Sequence, residues 1–353
     1  MKRVVIFCAL AALSLVPVLG AELALPELEQ IWEQAEGYGV SQGESLDDGL
    51  SNLLTDALGQ AGLLLRTSLA NGMKLMAVVL LCSLAYSARE GEESALQAVN
   101  LAGALAITAL TMTDMAAMIG LGRDTLGRME AFSAVLLPAM AVLTAAAGNV
   151  TAAAARQGAT VLFSQLLITA MDRLLVPLVY AFVAVHCAYA AVGNPGLKKL
   201  ADLLKGAITF FLTALLLAFV GYLTASGAIA GSVDAAAVKA AKLAISRAIP
   251  VVGGILADAS ESVLAGAGAL RGTVGAAGLL VVLAICLTPF LRLALQYLVY
   301  KGAAALCAAV AQPKLVGLID AVGSAFGLVL GMTGAGALVL LVSLVSAIQA
   351  VVL

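Results

Sequence analysis

Charge is what this sequence has least of. Asp, Glu, Lys and Arg make up 11% of its 353 residues and apolar residues 62%, where a soluble domain carries about 25% and roughly 45–50%. A water-soluble fold of this length could not cover so much apolar surface, so that class is excluded. Histidine is nearly absent, with His186 alone, and the five cysteines show no metal-ligand spacing. No P-loop, dinucleotide fingerprint, zinc motif or Ser/His/Asp constellation is present. The chain therefore encodes no energy source of its own. No catalytic residue, metal, cofactor or nucleic-acid partner is expected.

What is there is a series of apolar runs, at about 69–88, 95–119, 131–147, 157–171, 174–193, 206–230, 273–291, 293–311 and 321–352. Several exceed the ~18 residues needed to cross a hydrocarbon core. They are continuous rather than alternating, which favours helices over a β-barrel, because in lipid each backbone amide must be satisfied within its own segment. Abundant Ala and Gly suit close helix packing. The expected fold is all-α: a polytopic transmembrane helical bundle in the lipid bilayer, with a tandem internal repeat and re-entrant or interfacial segments.

The first residues have the pattern of a signal peptide over 1–20. Lys2 and Arg3 precede the apolar stretch Val4 to Leu15, and small residues surround Gly20 and Ala21. An acidic extracytoplasmic segment follows over 21–68, and it has no Lys or Arg from residue 22 to residue 60. The transmembrane domain is expected over 69–353.

Two joints in that domain resemble each other. "AVGNPGLKKLAD" (191–202) and "AVAQPKLVGLID" (309–320) share Ala-Val, a residue with a side-chain amide before Pro, two Leu and a final Asp at equal spacing. Tyr180 and Cys187 precede the first as Tyr300 and Cys307 precede the second, and Pro138 and Pro250 match more loosely upstream. This order is expected from tandem copies at about 95–205 and 206–320, with an extra span at 321–352. In membrane folds with duplicated halves, interrupted segments in matching positions often mark a central pathway.

The second copy contains "IPVVGGILADASESVLAGAGALRGTVG" (249–275). An Asp facing lipid at mid-membrane costs about 2.5–3.5 kcal/mol on insertion scales. Asp258, Glu261 and Arg271, beside Pro250, Gly253 and Gly254, are therefore the main candidates for a pathway or docking site on a broken helix. Secondary candidates are Asp114, read as a cation or proton relay or as a hydrogen-bonded structural Asp near a helix end; His186, more often packed and hydrogen-bonded than a switch; and Asp202 and Asp320, which follow the two joint prolines and suit helix capping or pairing with basic joints.

Three blocks, "AISRAIPVVGGILADASESVLAGAGALRGTVGAAGLLVVLAICL", "LLPAMAVLTAAAGNVTAAAARQGATVLFSQLL" and "LVYKGAAALCAAVAQPKLVGLIDAVG", resemble the stage III sporulation protein AE family over about residues 70–350. The resemblance implies a mother-cell protein of endospore formers, in the outer forespore membrane. It implies membership of a secretion-like assembly that bridges to a forespore membrane protein and supports late forespore development. The expected partners are an ATPase and ring-forming proteins of the same stage III sporulation A operon. A permease or channel-like core is the first expectation, a non-conducting scaffold the second and an independent secondary transporter the third. The family supplies no catalytic residues to carry over.

Overall fold

A computed structural model describes residues 36, 46–88, 93–146, 163, 165–225 and 273–352, all in helices or the short joints between them. Six helices organise these residues: α1 (Leu46–Ser87), α2 (Glu93–Ala146), α3 (Val176–Val192), α4 (Pro195–Ala225), α5 (Thr273–Cys307) and α6 (Pro313–Val352). A π-helical turn, Met171–Leu175, leads into α3. Each of the six lies in a helical run long and apolar enough to cross a membrane, so the expected all-α polytopic architecture holds.

The nine apolar runs of the sequence become fewer, longer elements. The charged stretch from Gly122 to Glu130 lies within α2, where Arg123 pairs with Asp172 and Arg128 Nη2 pairs with Asp124 Oδ2 at 2.9 Å. With their charges matched, these residues need no loop. The Asp172-Arg173 boundary is likewise helical, as the π turn ahead of α3. Arg292, between two apolar runs, and Pro289 both lie inside α5. The acidic segment runs on into the first span, because α1 begins at Leu46. At 54 residues, α2 is about 80 Å long, well beyond a hydrocarbon core of about 30 Å.

Local signals set the joints. Gly193 closes α3 in the left-handed region (φ 78°), with its N–H on Tyr189 O at 2.7 Å. Asn194 Oδ1 accepts the Gly196 N–H at 2.9 Å, and Pro195 and Pro313 open α4 and α6, where a missing N–H costs nothing.

Paired contacts fix the topology. Ser83 Oγ donates to Val310 O at 2.6 Å, and a Cβ at Gly49 would meet Leu280, so α1 and α5 run parallel. Thr108 Oγ1 lies 2.8 Å from Cys187 Sγ and Arg123 pairs with Asp172, so α2 and α3 run antiparallel. The six helices form three hairpins, α1–α2, α3–α4 and α5–α6. Residues 88 and 93, which end α1 and begin α2, lie at the same end of the bundle as the joints at 193–194 and 308–312.

α6 is the hub. In its most apolar window 94% of the residues are buried, against 22% to 44% for the other five spans. It packs on α5, α2, α3 and α4, and small residues allow the approach. A Cβ at Gly323 would lie 3.2 Å from Tyr300 Cβ, and one at Gly327 3.0 Å from the Tyr297 ring.

Candidate functional site

Two polar assemblies interrupt the apolar bundle. The first surrounds Asp114, midway along α2. Asn71 Nδ2 of α1 donates to both carboxylate oxygens, at 3.1 and 2.8 Å. From α5, Gln296 Nε2 and Tyr300 OH donate to Oδ2 at 3.2 and 2.8 Å. Lys74 Nζ in turn reaches Asn71 Oδ1 at 3.4 Å. Gln296 and Tyr300 are buried, and Tyr300 stands edge-on to Phe326 of α6 with centroids 4.9 Å apart. These partners are donors, which suits an ionised carboxylate and leaves its lone pairs engaged. These bonds tie three helices together, and they hold Asp114 in the interior of α2 rather than near a helix end as the structural reading had it.

The second assembly lies at the turn end, where the α3–α4 and α5–α6 hairpins meet around a cavity of about 420 Å³. Phe182 and His186 of α3, Lys198, Asp202 and Lys205 of α4, and Asp320 and Ser324 of α6 line it. Behind them Lys301 of α5 donates to Asp320 Oδ1 at 2.6 Å and to Ser324 Oγ at 2.8 Å. Lys205 Nζ approaches the same Oγ at 3.5 Å. His186 is half-buried and packs edge-on against Phe182, with centroids 4.8 Å apart. The helical hairpins bring together His186, Asp202 and Asp320, from three helices, around one cavity.

A smaller cavity of about 300 Å³, farther from the turns, is lined by Arg123, Glu130, Asp172 and Arg173 among others. No group of three or more His, Cys, Asp or Glu suited to a metal occurs among the described residues. Pro250, Gly253, Gly254, Asp258, Glu261 and Arg271 lie outside the described residues.

The sequence reading overlooked Asn71, Gln296, Lys205, Lys301 and Ser324 as site residues. Lys205 was visible in "GLKKLADLLK" as part of a basic joint. Tyr300 was visible as a repeat match. Their convergence depends on which helices are neighbours, which spacing along one strand of sequence does not reveal.

The family model for stage III sporulation protein AE (spore_III_AE) matches residues 47–351. The chain is 24% identical over 201 residues to "Stage III sporulation protein AE" of Bacillus subtilis (strain 168), a match covering 56% of this chain and 49% of that relative. The matched stretch thus spans about half the length of the curated relative. No solved structure matches. With a family model covering nearly all of the described helices, the chain belongs to the stage III sporulation protein AE family.

Proposed function

We propose that this protein is the permease or channel-like membrane core of the mother-cell-to-forespore sporulation complex, in the outer forespore membrane. Its turn-end cavity is the solute-facing site. The observation that carries this reading is the cavity itself: His186, Asp202, Lys205 and Asp320 gather around about 420 Å³ of space in a mainly apolar bundle. Ionisable groups in such surroundings are costly unless they serve a pathway or pair with one another. The role is non-enzymatic and needs no cofactor. Energy and ring architecture come from the ATPase and ring-forming proteins of the same operon. The tandem duplication belongs to the same reading, since both joint motifs contribute to one cavity, Lys198 and Asp202 from the first and Pro313 and Asp320 from the second.

The scaffold reading has its own support in the enclosure of α6 and in Asp114, which takes hydrogen bonds from two neighbouring helices and ties them to its own. Asp320→Asn separates the two in an endospore-forming host, with thermal stability of the purified variant measured alongside. The transport reading expects a sharp drop in heat-resistant spores while the variant still co-isolates with the ring and ATPase components. Loss of co-isolation favours the scaffold. Normal spore counts would remove the cavity from the function.

A further inference from the structure

Counting Lys301 behind its wall, the cluster at the turn-end cavity holds more positive charge than its carboxylates cover. Lys198 and Lys205 line it and Lys301 stands directly behind, against Asp202 and Asp320. Lys301 is bonded to Asp320. Lys205 Nζ has its described hydrogen bond to the Ser324 hydroxyl at 3.5 Å, the same oxygen that accepts from Lys301 at 2.8 Å. Two ammonium groups therefore converge on one neutral oxygen. Like charges so placed repel, and more strongly in a low-dielectric bundle than in water. Asp320 answers Lys301. Asp202, exposed on α4, is the other carboxylate in the lining and shares it with both Lys198 and Lys205. The set is one negative charge short.

Ser324 adds direction. It is buried to 1% exposure and its oxygen accepts from both lysines, so its own proton is available to a further acceptor. An oxyanion supplies both missing elements, the negative charge and the acceptor atoms. Lysine is a suitable point-charge partner for carboxylate or phosphate. The volume falls within the range of small-molecule sites, about 300–1,000 Å³. Helices α4 and α6 also start at this end, and their dipoles raise the local potential.

We infer that the turn-end cavity binds an oxyanion group, carboxylate or phosphate, with Lys205 as its principal ligand and Ser324 and Lys198 as further donors. This deepens the transport reading and rests on it. The anion has two possible sources, a dissolved solute or the headgroup phosphate of an anionic lipid entering from the membrane rim.

The test uses the full chain, purified in uncharged detergent and in nanodiscs of phosphatidylcholine with or without phosphatidylglycerol. Inorganic phosphate is the soluble probe, read by titration calorimetry and thermal unfolding. The expected result is saturable phosphate binding that stabilises the wild-type protein, weakened roughly tenfold or more in Lys205→Gln. Lys205→Arg should retain it, Ser324→Ala should weaken it less, and Arg128→Gln, on the exposed face of α2, should leave it unchanged. Stabilisation by phosphatidylglycerol that needs Lys205, without a response to phosphate, identifies the lipid headgroup as the source. A response to phosphate in either lipid identifies a solute. The inference is overturned if wild type responds to neither probe, or if Lys205→Gln responds equally. Binding with normal spores from Asp320→Asn overturns the transport reading alone. No binding with defective spores overturns this inference alone.

Discussion

Asp114 shows how much can rest on one carboxylate. Its two oxygens collect donors from Asn71, Gln296 and Tyr300, so Asp114→Ala strands three donors at once in an apolar setting. Leaving a buried donor unsatisfied costs about 1–3 kcal/mol, and unfolding in detergent should show a loss on the order of 3 kcal/mol for the variant. Asp114→Asn keeps one acceptor oxygen and should fall between it and wild type. Tyr300→Phe removes one bond to a charged acceptor, about 1.5–3 kcal/mol, while leaving the ring on Phe326. The opposite pattern, normal stability with lost sporulation in Asp114→Asn, would restore the relay reading. A polar residue within an apolar run was legible in the sequence. Its partners were not, because Asn71 and Tyr300 sit on other helices and neither is unusual in its own surroundings.

Among the elements, α6 and its glycines decide how closely helices approach. At Gly323 an added Cβ would meet Tyr300 Cβ at 3.2 Å and the Lys301 backbone nitrogen at 3.4 Å. Backbone cannot swing away as a side-chain tip can, so Gly323→Ala should destabilise by about 1–2 kcal/mol through overpacking. Gly120 has open space around its missing Cβ, and Gly120→Ala should be neutral or stabilising by up to about 1 kcal/mol from helix propensity. Thermal unfolding of the pair checks the contrast, and equal effects would refute the packing account. Helix number was harder to read from the sequence than helix type. Charges at Arg123, Asp124 and Arg128 look like a loop until the pairs with Asp172 and within one helical face are known. Pro195 and Pro313, by contrast, announced their helix starts, because a proline ring fits the first turn and few other helical positions.

For the molecule as a whole, three hairpins with turns at one end make a definite claim about sidedness. Single cysteines at Asn194 and Gln312, in a background freed of native cysteines, should react with an impermeant maleimide from the same side of the membrane. One at Asp48, near the start of α1, should react from the other. Labelling of Asn194 and Gln312 from opposite sides would break the topology. The joints themselves were legible as matching motifs. That they share one cavity was not, since nothing in either motif states which way its hairpin faces.

The enclosure of α6 also bears on how the protein is made. This helix comes last among the described six, yet α2, α3, α4 and α5 all pack around it. During synthesis the two earlier hairpins precede α6, so the faces of α2, α3 and α4 that later hold it border a vacant slot. Lipid chains or an insertion factor would occupy that slot until α6 arrives and displaces them. Closing the core therefore waits on α6, and until it docks the bundle is an open clamp.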